Sequence, residues 1–245
     1  MKETIYTIPL NEAYEEECEC PLCFLEKKLE DEALEYALGA AMMEPDYRVE
    51  SNEVGYCNRH FERLLEMPNK LSLALVLETH LQEIRNKLGA IDKDLSGLEK
   101  PSLFKKSGNR QTIDKSVEKL AKINSGCMVC NKVNHTMERY TEVFFHMWKN
   151  DDLFREKVEK SKGMCMHHFE TILSAAHKHL SEKDETEFVN ILCKKQKAEL
   201  ERIQEDIHKF TLKFDYRNKD MELGTAQDAP ARTLQKIGGY VRENN

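Results

Sequence analysis

Six cysteines and two histidines of this chain stand at spacings that suit a metal ion. Cys20-Pro-Leu-Cys23 and Cys127-Met-Val-Cys130 are C-x-x-C pairs, and Cys57-Asn-Arg-His60 and Cys165-Met-His-His168 are C-x-x-H pairs. A two-residue gap lets both donor atoms turn toward one ion. Three thiolates and one imidazole make the tetrahedral Cys3His set of structural zinc sites, whereas a catalytic zinc keeps one position open to water. The expected chemistry is therefore ligation of two zinc ions per chain. Iron–sulfur ligation is the competing reading, and zinc is preferred because Cys3His is a familiar zinc set. Neighbourhood in sequence assigns Cys20, Cys23, Cys57 and His60 to one site and Cys127, Cys130, Cys165 and His168 to a second. Exchange between the two, with the C-x-x-C of one set beside the C-x-x-H of the other, is left open. His167 competes with His168 as a ligand.

The two sets belong to an internal repeat. Residues 55–65, GYCNRHFERLL, align with residues 163–173, GMCMHHFETIL, at an offset of 108, and the C-x-x-C pairs align at an offset of 107. The spacer between C-x-x-C and C-x-x-H is 33 residues in the first copy and 34 in the second. Tandem duplication explains this conservation of distance. The alignment favours His168 over His167, because His168 matches His60. It predicts a first repeat over 1–97, a linker over 98–111 rich in Gly, Pro, Ser and charge, a second repeat over 112–217 and a tail over 218–245. The tail is expected to pack across the surface or to be partly mobile.

The elements that position these ligands read as helices. Leu22, Leu25, Leu29, Ala33 and Ala37 recur at three and four, the period of one helix face, and Pro21 suits a first helical position capped by Cys20. After Pro68 and Asn69, the residues Ala74, Leu77, Leu81, Ile84, Leu88, Ile91 and Leu95 form an unbroken three–four seam resembling a coiled coil. A second seam runs Val189, Cys193, Gln196, Leu200, Ile203, Ile207, Phe210 and Phe214, preceded by the capping pair Ser181 and Asp184. Val129, Val133, Met137, Tyr140, Phe144 and Met147 make another stripe. Ordinary core packing is the simplest account of the stripes; the two seams could also pack on each other or build a dimer. Thr4-Ile5-Tyr6-Thr7-Ile8 is the one strand candidate, and a single strand makes no sheet. The fold class expected is all-α, a duplicated helical repeat clamped by two metal sites. Each ligand pair then opens a helix, where unpaired N–H groups and the helix dipole favour a thiolate. Of the two remaining cysteines, Cys18 sits among Glu15, Glu16, Glu17 and Glu19, a field that disfavours its thiolate. Cys193 falls on a seam and is expected to be a small buried hydrophobe.

Composition narrows the function. A net charge of −7 argues against binding nucleic acid through its phosphates, and no apolar run is long enough to span a membrane. The first residues hold no apolar signal core, so a cytoplasmic chain with reduced thiols is expected rather than a disulfide framework. No G-x-S-x-G, H-E-x-x-H or phosphate loop is present.

The combination of YTIP near the start, CECPLC, GYCNRHF and the late KFDYRNKD resembles an uncharacterised bacterial family of about this length, over the whole chain. Some members of that family carry the automatic label of an ABC transporter substrate-binding protein. The resemblance implies no chemistry. A transporter's binding protein needs an export signal or lipobox, which this sequence lacks. Three readings follow: a zinc-stabilised helical interaction module with a protein partner or a second copy bound through the long helices; a thiol-based redox or zinc sensor; and a metal-dependent enzyme, disfavoured because four protein ligands close each site.

Overall fold

The computed structural model describes residues 5–98 and 109–240. Most of the expected linker, with Lys105 and Lys106, lies outside them. Among the described residues there are eleven α-helices, three 3-10 turns and no strand: α1 (Thr7–Glu15), α2 (Pro21–Leu38), α3 (Pro45–Val54), α4 (Asn58–Glu66), α5 (Lys70–Ser96), α6 (Asn109–Asn124), α7 (Met128–Asn150), α8 (Asp152–Lys160), α9 (Met166–His179), α10 (Glu182–Leu212) and α11 (Ala229–Gly238). The protein is all-α. The strand candidate at the start is corrected: Thr7 and Ile8 open α1. Thr7, Leu10, Ala13 and Tyr14 recur at helical spacing and are buried. Pro9 stands in the first turn, where its missing N–H costs nothing.

The chain divides into two compact units. The terminal unit takes the chain up to Leu29 and from Thr136 on; the central unit is Glu30–His135. In the terminal unit, Leu10 and Tyr14 of α1, Leu22 and Leu25 of α2, Phe154 and Val158 of α8, Ile172 of α9 and Phe188 of α10 close around Phe144 and Phe145 of α7. Phe144 is the hub: the rings of Tyr14, Phe145, Trp148, Phe154 and Phe188 lie 5.3–6.5 Å from it, mostly edge to face. Such pairs add about 0.5–1.5 kcal/mol each beyond the area they bury. In the central unit, Leu34, Leu38, Leu64, Leu73, Val76, Ile91, Val129 and Val133 are buried.

The capping signal at Ser181 and Asp184 acts as expected, and Asn69 caps α5 as well. Asn69 accepts from the Ser72 N–H at the start of α5. Ser181 accepts from the Asp184 N–H at 3.3 Å, and its hydroxyl donates to the Asp184 carboxylate.

The seam on α5 departs from the buried face of its helix over most of its length, whereas the seam on α10 contributes part of the buried face. Along α5 the buried residues are Leu73, Val76, His80 and Ile91, while Leu77, Leu81 and Leu88 are 41%, 58% and 51% exposed. Along α10 they are Phe188, Leu192, Gln196 and Ile203, the last two from the expected seam, while Cys193 of that seam is exposed. The expectation that Cys193 is buried is therefore corrected. On α5 two stripes run side by side, one residue apart, and the core takes mainly the one other than the seam; on both helices the buried stripe carries the polar residue beneath the C-x-x-H turn. That residue is His80 on α5 and Gln196 on α10. The expected tail is a packed element: Ala226, Ala229 and Lys236 are buried, and α11 lies against α9 and α10. Asp215 caps a 3-10 turn by accepting from the Arg217 N–H and pairs with its guanidinium.

Candidate metal centres

The eight candidate ligand residues gather into two clusters, one in each unit, and the pairing is crossed relative to the sequence alignment. Cys20 and Cys23 meet Cys165 and His168 in the terminal unit; Cys57 and His60 meet Cys127 and Cys130 in the central unit. The assignment of each site to one sequence copy is thus corrected in favour of the exchanged arrangement. Within each cluster the donor atoms all lie within 4.8 Å of one another.

Local structure explains why these atoms converge. Cys20, Cys57, Cys127 and Cys165 each stand immediately before a helix, α2, α4, α7 and α9 respectively. Three of their sulfurs accept the N–H three residues on: Cys20 from Cys23 at 3.4 Å, Cys127 from Cys130 at 3.5 Å and Cys165 from His168 at 3.4 Å. These are N-cap bonds with sulfur as acceptor, and they turn the second ligand of each pair toward the first. The turns before the two C-x-x-H pairs depend on glycine. Gly55 and Gly163 have φ of +70° and +76°. A Cβ on Gly55 would stand 2.5 Å from the His80 ring, and one on Gly163 2.9 Å from Gln196 Oε1. His80 holds its turn through Nδ1 and the Asn52 carbonyl at 2.8 Å. Gln196 holds the other by accepting from the Met164 N–H and donating to its carbonyl.

The distances suit a small tetrahedral ion. Zn–S bonds near 2.3 Å and Zn–N bonds near 2.0–2.1 Å imply S···S edges of about 3.8 Å and S···N edges of about 3.5 Å. The observed edges include Cys23 to Cys165 at 3.5 Å and Cys57 to Cys130 at 3.9 Å. His168 Nδ1 lies 3.3–3.5 Å from Cys20, Cys23 and Cys165, and His60 Nδ1 lies 3.1–3.5 Å from Cys57, Cys127 and Cys130. All eight cysteines are free thiols. Two Cys/His clusters without disulfides could therefore each hold a metal ion.

Charge points the same way. Three thiolates this close cannot all ionise without a cation among them. In the central cluster, burial raises the Cys127 thiol, but hydrogen bonds from His60 and from backbone N–H groups outweigh it and lower the pKa to about 6. Burial and then the neighbouring Cys127 push Cys130 up to about 12. In the terminal cluster, Cys20 and Cys23 hold Cys165 low, while Cys165, Cys20 and burial hold Cys23 high. Burial works against both imidazolium forms, yet the thiolates bring His60 to about 9 and His168 to about 10.

The surroundings of the clusters hold residues that spacing alone did not single out. His60 turns Nε2 to the buried Glu30 carboxylate at 2.7 Å, which leaves Nδ1 facing the three sulfurs of its cluster. Arg59, at 2.8 Å, and Arg63 also bind Glu30. Its pKa is lowered, since burial is outweighed by His60 and the two arginines. His168 has a looser counterpart, with Nε2 3.7 Å from the half-buried Glu26. In the central unit the Met128 N–H donates to the Gly55 carbonyl at 3.0 Å, tying the two ligand turns together. Pro21 occupies the corresponding place in the terminal unit and has no N–H to give. There the buried Lys236 makes the tie, donating to the Glu19 carbonyl at 2.7 Å and the Lys162 carbonyl at 2.5 Å. Its ammonium also meets the Glu19 carboxylate at 3.0 Å, beside Arg202 at 2.6 Å and Arg232 at 3.5 Å. No sequence pattern announced Lys236, because it lies in the tail, outside both copies. His167 stays outside the cluster and lines a surface groove with Glu138, Glu142 and Glu170. Cys18 also stays outside; burial first, and then Cys20 and the nearby glutamates, raise its pKa to about 11.

The fold and the clusters define an all-α protein with two Cys3His candidate metal centres. The chain belongs to DUF6062, a family of unknown function whose model matches residues 1–244. No curated protein and no solved structure matches it.

Proposed function

We propose that the chain is a helical interaction module whose two Cys3His clusters each hold a structural zinc ion. The observation that carries this reading is closure. Each cluster presents four protein donors at the edge lengths of a zinc tetrahedron, with helix N-termini behind the sulfurs and no position left for water or substrate. Metal binding would clamp distant parts of the chain, so its free energy would also be folding free energy. In the terminal unit the clamp would join Cys20 to Cys165. In the central unit it would join Cys57 to Cys127. The matched glycine turns at Gly55 and Gly163 support the reading of a duplicated ancestor. Free thiols suit a reducing compartment, and we place the chain in the cytoplasm. The test is the metal content of purified protein: two zinc ions per chain are expected. A fully folded, metal-free preparation would overturn the reading.

A second reading, a thiol-based sensor, is favoured by one asymmetry. All four ligands of the terminal cluster are buried, whereas Cys57 and Cys130 of the central cluster are half-buried. Peroxide, reduced to water, would join those two sulfurs in a disulfide and expel the central ion first. Ordered release of one ion at low peroxide supports this reading. Simultaneous release, or resistance of both ions, dismisses it.

A further inference from the structure

The outer face of α5 carries an apolar stripe that no described residue covers. Ala74, Leu77, Leu81 and Leu88 are exposed along it, with Ile84 half-buried among them, and Leu71 and Leu75 add exposed apolar surface at its start. Isolated exposed leucines are unremarkable, but a seam of them at alternating three and four spacing on a 27-residue helix is the pattern of a helix awaiting a partner.

We infer that this face docks against the same face of a second copy of the chain, with the two α5 helices antiparallel and centred between Leu81 and Ile84. The charges that flank the stripe select this partner and this register. In an antiparallel pair, layers form between residues whose numbers have a constant sum, and residues just beside the seam meet their own kind from the other helix. With Leu81 opposite Ile84 of the second copy, Leu77 falls opposite Leu88, and Glu78 falls beside Arg85 of the second copy. Two-fold symmetry makes that ion pair twice. Sliding by one heptad in one direction sets Arg85 beside Arg85 and Glu78 beside Asp92. Sliding in the other direction sets Glu78 beside Glu78. Both alternatives oppose like charges, so only the central register is self-complementary. Glu78 and Arg85 are exposed and have no ion-pair partner among the described residues, so both are available for it. The neighbouring stripe of α5, with Leu73, Val76 and His80, is packed into its own unit, so the helix is already held while its exposed stripe faces outward.

Sedimentation equilibrium of the full, metal-loaded chain tests the inference. A concentration-dependent dimer is expected, and Leu81→Asp should abolish it. Glu78→Arg or Arg85→Glu alone turns two attractive pairs into two repulsive ones and should weaken the dimer on the order of tenfold. Glu78→Arg combined with Arg85→Glu restores both pairs with reversed sign and should recover most of the loss. These positions are on the surface, so helix content and metal content should be unchanged in every variant. A chain that stays monomeric, as it would if this face served a different partner, overturns the inference. So does a dimer indifferent to Leu81→Asp, or a double variant no better than the single ones.

Discussion

Nε2 of His60 lies 2.7 Å from Oε1 of Glu30, and that carboxylate is buried with Arg59 and Arg63 around it. A carboxylate behind a ligating imidazole fixes its tautomer and orientation and raises its basicity; removing such a partner typically costs ten- to hundredfold in metal affinity. Glu30→Gln should therefore weaken the central ion by about ten- to hundredfold, measured by competition with a chromophoric chelator, and leave the terminal ion alone. Glu26→Gln should do much less, because the Glu26 carboxylate stands 3.7 Å from His168. Equal effects of the two substitutions would contradict the asymmetry.

The crossed pairing has a signature that no within-copy arrangement shares. Cys57→Ser with Cys127→Ser damages only the central cluster and should leave one ion per chain. Cys20→Ser with Cys57→Ser damages one ligand in each cluster and should leave the chain with neither ion firmly held. Sites confined to the sequence copies would give the reverse: two losses from the first pair and one from the second. Elemental analysis after gel filtration decides between them.

The candidate ligands are legible because the chemistry of a tetrahedral site dictates residue type and local spacing, and both survive in one dimension. The partnership between ligand pairs is not. Each pair is built locally by a helix start, but which pair it meets is decided by the packing of α2 and α9 in one unit, with ligands 142–148 residues apart in the chain, and of α4 and α7 in the other, with ligands 67–73 residues apart. The helices are equally readable, down to the cap Ser181. The buried face of α5 departs from the seam because two apolar stripes lie side by side there. Leu77, Leu81 and Leu88 follow a cleaner repeat than Leu73, Val76 and His80, yet the contact of His80 with the Gly55 turn turns the second set inward. Lys236 was invisible for a different reason: a lysine signals solvent until its partners are known, and its partners are backbone carbonyls more than seventy residues away.

Exposure of Cys193 predicts its reactivity. In the metal-loaded chain six thiols would be tied up as ligands, and Cys18 is part-buried with its pKa raised to about 11. A disulfide reagent at neutral pH should find one fast thiol, because attack requires both thiolate and access. Cys193→Ser should remove that fast phase without changing metal content. A fast phase that persists in Cys193→Ser would place a cluster sulfur within reach of solvent.

Gly55 should tolerate no side chain. Its φ of +70° and ψ of −157° lie in a region open almost only to glycine, where another residue costs on the order of 1–3 kcal/mol. The His80 ring occupies the space a Cβ would take. Gly55→Ala should thus lower the denaturation midpoint strongly, and His80→Ala should relieve the steric part of that loss but not the backbone part. A double-mutant cycle should show the two changes coupled by about 1 kcal/mol or more. Strictly additive costs would mean the ring does not press on the turn.

Lys236 is the residue whose removal should separate the two clusters most cleanly. Its ammonium is fully enclosed and makes three contacts, with the carbonyls of Glu19 and Lys162 and with the Glu19 carboxylate. Glu19 precedes Cys20 directly, and Lys162 precedes Cys165 by three residues, so the lysine holds both ligand turns of the terminal cluster at once. Lys236→Met keeps the apolar stem and deletes the donors. Two carbonyls and a carboxylate with 3% side-chain exposure would lose a partner, although Arg202 and Arg232 remain for the carboxylate. Breaking a buried ionic contact from one side costs about 3–5 kcal/mol, and the remaining arginines should bring the loss toward the lower end. The turns would then loosen, and the terminal ion should leave first in a chelator titration while the central ion keeps its affinity. If Lys236→Met released the central ion as readily as the terminal one, the lysine would be a general support of the fold and not a tie between the two cysteine turns.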